Sequence, residues 1–224
     1  IKAEATYLVT GGLGGIGQVL TGWLLEKGAR NIVLLGRREI DESRLKALTE
    51  GLAADTRIHY IQVDVTDYAA LQQIISTIQG DGPPLRGIFH CAGVLDDGLL
   101  MNYDASRLEM IMAAKTIGAW NVHLLTKNLD LDLFVLFSSI ASAVGTAGQG
   151  GYASANACLD ALAARRQASG LPGISINWGP WAHTGMTADD PMADRFKKQG
   201  LHLIPPEKAC DLLDQLLPHA MHHV

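Results

Sequence analysis

Short apolar runs alternate along the chain with longer stretches in which apolar positions recur every three or four residues. The runs Thr6–Thr10, Asn31–Leu35, Ile58–Val63, Gly87–His90, Leu133–Phe137 and Gly173–Asn177 predict strands. Between them Gly15–Lys27, Ser43–Ala53, Tyr68–Ile78, Ser106–Thr126 and Gly151–Ser169 predict helices. This rhythm is that of repeated βαβ units, whose right-handed crossovers stack helices on both faces of a parallel sheet. The expected fold is a single α/β domain over residues 1–224, a doubly wound parallel sheet of strand order 3-2-1-4-5-6. Ligands bind such a sheet at the carboxyl ends of its central strands.

Punctuation agrees with these boundaries. Gly28 follows the first helix as a left-handed cap, Asp81-Gly82-Pro83-Pro84 forces a loop, and Gly170-Leu171-Pro172-Gly173 closes the fifth helix. Residues 182–204 break the rhythm, with Gly185, Pro191 and Gly200 around a short charged helix, and read as a lid over the crevice.

Composition narrows the class. A hydrophobic content of 48%, only 18% charged residues and 24 glycines suit a sheet covered on both faces and joined by tight turns. The net charge of −5 and scattered bases exclude a nucleic-acid footprint; Arg165-Arg166 and Lys197-Lys198 read as solvated helix surface. Cys91, Cys158 and Cys210 lack any C-x-x-C spacing, so neither a disulfide framework nor a zinc site is expected, and a reducing cytoplasm suits them. The apolar stretch 131–144 is broken by Asp132, Ser138, Ser139 and Ser142, so no membrane span is expected. His219, His222 and His223 have no carboxylate or thiol beside them and are read as surface, with no metal site.

The chemistry begins at Thr10-Gly11-Gly12-Leu13-Gly14-Gly15-Ile16-Gly17, between the first strand and the first helix. Gly12, Gly14 and Gly17 fit G-x-G-x-x-G; Gly11, Gly15 and Gly17 fit T-G-x-x-x-G-x-G. In either spacing, side chains are missing where a pyrophosphate must approach backbone N–H groups at a helix N-terminus. After the second strand, where an acid usually meets the adenosine ribose, stands Arg37-Arg38, which favours a 2′-phosphate and hence NADPH over NADH. Asp64, closing the third strand, is placed to accept from an adenine amine or to cap the next helix.

Reduction of a carbonyl by hydride needs a proton donor, a hydrogen bond that polarises the oxygen, and a cation that makes a phenol acidic enough to help. Tyr152, Ser139 and Lys115 supply these three types, the ammonium being expected to lower the phenol's pKa. Asn156, one turn beyond Tyr152, is placed to hold a water or the lysine in register.

With TGGLGGIG, HCAGVLDD, FSS, YASAN and NWGPW followed by Gly185-Met186, the chain resembles the catalytic half of a ketoreductase domain from a modular polyketide synthase, in the short-chain dehydrogenase/reductase superfamily. That resemblance implies a Rossmann fold and cofactor contacts from the glycine loop together with Arg37, Arg38, Asp64, Val65, Ala92, Gly93 and Pro180. The wider superfamily places its lysine four residues after the tyrosine, where this chain has Asn156; synthase ketoreductases share the exchange, with the lysine upstream at the position of Lys115. Leu95-Asp96-Asp97 matches the family motif that accompanies the B-type, D-configured 3-hydroxyl, and no tryptophan stands eight residues before Tyr152, where Val144 lies. No proline follows Tyr152 closely, so the epimerising subtype is not indicated. The implied substrate is a β-ketoacyl thioester on an acyl carrier protein, with neighbouring synthase domains as partners. The family's upstream structural half and a last edge strand have no counterpart in the sequence, so the chain reads as a piece of a longer polypeptide. The competing readings are a silent ketoreductase-like scaffold and a stand-alone alcohol dehydrogenase.

Overall fold

The computed structural model describes residues 1–184, Phe196 and 200–220, with the backbone alone at 42, 44, 45, 47, 81, 219 and 220. Six parallel strands form one sheet: β1 (Thr6–Thr10), β2 (Asn31–Gly36), β3 (Arg57–Gln62), β4 (Leu85–His90), β5 (Leu133–Ser139) and β6 (Ile174–Trp178). Their order is β3-β2-β1-β4-β5-β6, as the alternation of patterns predicts.

Burial along the strands follows from position in the sheet. Every residue of β1 and β5 is buried, because helices cover both faces of the central strands and no polar alternation survives there. The edge strands β3 and β6 are only partly covered, β3 burying Ile58 alone and β6 burying Ile176 and Trp178. One face packs on α1 (Gly15–Glu26) and α8 (Pro206–Ala220), through Leu20, Trp23, Leu24, Leu213 and Leu217. The other packs on α3 (Tyr68–Asp81), α5 (Gly118–Thr126) and α7 (Gly150–Ala168), through Leu71, Val122, Leu159 and Leu162. No described helix is long and apolar enough to cross a membrane.

Two departures from the periodic reading matter for the site. The predicted helix Ser106–Thr126 is three pieces: α4 (Ala105–Met112), a π-helical segment Ala113–Ile117, and α5. A π segment shifts the helical phase, so side chains on either side no longer share one face. A short α6 (Ala141–Val144), too brief for periodicity to reveal, follows β5 directly. The cap of α3 is also reassigned. Asp67 accepts from Ala70 N at 3.0 Å, whereas Asp64 accepts from the Thr66 N–H (2.9 Å) and hydroxyl (2.8 Å) in a local turn. Of the expected lid, most residues lie outside those described; at its two ends Ala182 N donates to the Ile204 carbonyl at 2.8 Å.

Candidate active site

The carboxyl ends of β1, β4, β5 and β6 surround a cavity of about 980 Å³, at the large end of the roughly 300–1,000 Å³ of small-molecule sites. It runs from Gly11, Gly14 and Gly17 to Lys115, Ser139 and Tyr152. A smaller hollow of about 190 Å³ shares Gly11, Gly14, Arg38 and Gly93 with it and is lined also by Arg37, Asp64, Val65 and Ala92. The two therefore form one continuous cleft.

At its first end the cleft is backbone. A Cβ on Gly17 would lie 2.4 Å from the Gly11 carbonyl oxygen, and Gly11 has φ +69 with its Cα packed against the chain at Ala92. The turn closes only without side chains. Gly14 precedes α1 without a capping side chain, and the first turn carries no acid, so its N–H groups and the helix dipole face the cleft. Leu13, Gly15, Ile16 and Pro180 also line it. Thr10 and Gly12 do not: Thr10 is buried, its Oγ1 2.9 Å from His90 Nδ1, and a Cβ on Gly12 would meet the Leu34 side chain. They shape the strand ends from below.

Past β2, the Arg37 and Arg38 backbone is anchored from β3, Gln62 Nε2 donating to the Arg37 carbonyl at 3.1 Å and Tyr60 donating to that of Arg38. Their side chains remain outside; Arg37 is 61% exposed and sits 4.0 Å from Asp64, a distance at which an exposed pair holds weakly. Val65 is fixed from behind by Asn121, whose Nδ2 donates to the Val65 and Thr66 carbonyls (3.2 and 3.0 Å). A glycine cradle, free helix N–H groups and two available guanidinium groups fit a nicotinamide dinucleotide.

At the other end the cleft is made of buried side chains. Ser139 ends β5, while Tyr152 and Asn156 stand on consecutive turns of α7. Burial raises the Tyr152 pKa; the Ser139 hydroxyl, hydrogen-bonded to the phenol, and the nearby Asn156 amide draw it down, and the Asp97 charge pushes it up again, the net direction being upward. Asn156 is fully buried, its Nδ2 donating to the Tyr152 carbonyl at 2.7 Å, and its Oδ1 has no aligned hydrogen-bond partner among the described residues.

Lys115 enters from the π segment, passing so close to Gly93 that a Cβ there would lie 2.9 Å from its Cε. Its Nζ donates to the Phe137 carbonyl at 2.7 Å and lies 5.7 Å from the centre of the Tyr152 ring. Burial lowers its pKa to about 8. The expected drop of the phenol's pKa under the lysine is therefore corrected: the net shift is upward, with burial its leading cause.

Leu95 lines the cavity, while Asp96 and Asp97 are held around it. Arg107 clamps Asp96 with two bonds of 2.7 Å, lowering that carboxyl's pKa, and also donates to the Asp97 carbonyl at 3.0 Å. Gln149 Nε2 reaches both Asp97 carboxylate oxygens, at 3.1 and 3.3 Å. Arg107, Gln149 and Asn121 escaped the sequence reading, since each acts through a distant partner that no local spacing announces. Met186 and Gly185 of the last motif, and His222 and His223, lie outside the described residues.

A family model described as the KR domain matches residues 5–183. The chain is 42% identical over 220 residues to the phenolphthiocerol synthesis polyketide synthase Pks15/1 of Mycobacterium marinum, covering 96% of itself and 10% of that protein. It is 40% identical over 220 residues to a Mycobacterium tuberculosis synthase, Pks1, whose name marks it inactive, covering 96% of itself and 14% of that protein. A solved structure described as an A-type ketoreductase from a modular polyketide synthase superposes with a TM-score of 0.90 at 41% identity, over 96% of this chain and 46% of that one. The chain thus spans a small part of these synthases and just under half of the solved ketoreductase. By fold, motif and this similarity, the chain belongs to the ketoreductase (KR) domain family of polyketide synthases, within the short-chain dehydrogenase/reductase superfamily.

Proposed function

We propose that the chain reduces, with NADPH, the β-keto group of an acyl thioester carried by an acyl carrier protein within a larger synthase, giving a 3-hydroxyacyl thioester. The observation that carries this reading is the single cleft that joins a glycine cradle and two exposed arginines to Ser139, Tyr152 and Lys115. A bound nicotinamide supplies hydride to the β-carbon. The chain's own residues do the rest. Ser139 holds the ketone oxygen by a hydrogen bond, and Tyr152 delivers the proton as negative charge develops there. A phenol whose pKa is raised by burial keeps that proton at neutral pH, which is the form reduction requires. Lys115, cationic below about pH 8, opposes the phenolate charge left after transfer. Asn156 holds the α7 turn that carries Tyr152.

For product configuration, Leu95-Asp96-Asp97 supports the B-type, D-3-hydroxy outcome. Similarity to a structure described as A-type does not bear on this chain's product, because the motif is read residue by residue. A silent scaffold is favoured only by the name of the Mycobacterium tuberculosis relative, and a complete Ser-Tyr-Lys-Asn set argues against it. Incubation with NADPH and a β-ketoacyl N-acetylcysteamine thioester, with chiral separation of the product, tests the reading. NADPH oxidation and a D-3-hydroxy product are expected; no oxidation would refute the reductase, and an L product would refute the configuration.

A further inference from the structure

Tyr152, Asn156 and Asp160 follow one another at intervals of four on α7, so the three share one face of the helix. The first two are in the site. Asp160 is left unused by the mechanism, yet it is the hub of a polar cluster directly behind Ser139. Its Oδ2 accepts from Ser142 Oγ at 2.6 Å and from Asn177 Nδ2 at 3.0 Å, and its Oδ1 accepts from Ser175 Oγ at 2.5 Å. No lysine or arginine pairs with it among the described residues.

The cluster reaches the catalytic backbone at two points. Ser142 Oγ stands 2.9 Å, and Asn177 Nδ2 3.3 Å, from the Ser139 carbonyl oxygen. Ser138 Oγ, on the neighbouring residue, donates to the Asn156 carbonyl at 3.2 Å. A hydroxyl has one proton to donate. With Asp160 ionised, the shorter contact takes the Ser142 proton and Ser142 accepts one proton of the Asn177 amide at 2.6 Å, so the second Asn177 proton is shared between Asp160 Oδ2 at 3.0 Å and the Ser139 carbonyl at 3.3 Å. An ionised Asp160 can accept from each of the three donors around it. Burial raises the Asp160 pKa, but the hydrogen bonds from Ser142, Ser175, Asn177 and Ser138 more than offset it, so the carboxylate stays ionised.

We propose that Asp160 is a positioning residue: through Ser142 and Asn177 it fixes the β5–α6 backbone that presents Ser139. The inference rests on the catalytic reading of Ser139 and Lys115 given above. The groups around Lys115 are the neutral His90 and Cys91 at the end of β4, the Phe137 carbonyl of β5, and Tyr152 and Asp160 of α7. Asp160 is the carboxylate that supports the ammonium among them. Removing that charge moves the lysine further below its usual pKa.

Two measurements on the whole chain test this. The Lys115 titration, followed by NMR of 13C-labelled lysine, is expected to move to lower pH in Asp160→Asn and to stay in place in Ser142→Ala, which breaks the bridge but keeps the charge. That arm reads Asp160 whether or not the wild type turns over. An unmoved titration in Asp160→Asn would overturn the charge link. In the reductase assay, Ser142→Ala is expected to lower kcat about tenfold, with KM for NADPH within about twofold, because a misplaced reacting group costs rate rather than cofactor binding. Wild-type kcat in Ser142→Ala would overturn the positioning role. Absence of turnover in the wild type would instead sink the catalytic reading, which the titration distinguishes.

Discussion

The two ends of the cleft are built from opposite materials. The nucleotide end is backbone and exposed charge: Gly11, Gly14 and Gly17 make room, and Arg37 is 61% exposed. The end proposed to deliver the proton is buried side chain: Lys115 and Ser139 are 5% and 8% exposed, and Asn156 is fully buried. The difference sets what each end costs and how each responds to substitution. A backbone cradle holds its shape without placing charge in the core. The catalytic end keeps an ammonium and a phenol out of water, and both pKa values move accordingly.

The largest separation of the two ends is expected from Tyr152→Phe. Turnover should fall by about two to four orders of magnitude, the range for a positioned general acid, with NADPH affinity unchanged in a fluorescence titration. Equal losses in binding and turnover would mean that the phenol supports the cofactor rather than the proton transfer.

Lys115→Met exposes the cost of the buried charge. The lysine's folded pKa, about 8, lies below its ordinary 10.5, so the folded chain binds fewer protons than the unfolded chain between those values. The penalty is fully present below about pH 8 and fades as pH rises toward 10.5. At pH 7 the methionine variant should therefore be more stable by about 1–3 kcal/mol, roughly 2–4 °C of melting temperature per kcal/mol, while losing most turnover. The gap should close in melts run at increasing pH; a less stable variant at pH 7 would show that the Phe137 bond outweighs the burial penalty.

At the nucleotide end, Arg37→Ala with Arg38→Ala should weaken NADPH about ten- to a hundredfold through lost charge-assisted bonds. NADH affinity and kcat at saturating NADPH should change little. Equal weakening of both cofactors would return the arginines to plain surface. The smallest effect is expected for Asp64→Asn. Its pair with Arg37 is exposed and 4.0 Å long, and melting should shift by no more than about 1 kcal/mol in stability terms.

The same contrast explains what could be read in the sequence. The strand order followed from the alternation of patterns, and the glycine loop from spacing, because both depend on local residue type. Tyr152 and Asn156 were legible as neighbours one turn apart on α7. Lys115 was legible as a residue type and by resemblance, but not in its inward direction, which depends on the π segment Ala113–Ile117 that a 3.6-residue period runs straight through. Asp96 and Asp97 read as one motif, yet one is clamped by Arg107 and the other held by Gln149, contacts made across the fold. Asp160 did carry a signal, its place two turns beyond Tyr152, but its partners Ser142, Ser175 and Asn177 come from α6 and β6.

The central claim is that one cleft divides cofactor capture from proton delivery, and single-turnover reduction of a β-ketoacyl thioester tests it most directly. The rate should be followed against NADPH concentration for wild type, Tyr152→Phe and the Arg37→Ala, Arg38→Ala double variant. The account predicts that Tyr152→Phe lowers the plateau by about two to four orders of magnitude at an unchanged half-saturation point, and that the arginine variant shifts half-saturation at an unchanged plateau. Plateaus that fall together, with half-saturation moving in both variants, would contradict it.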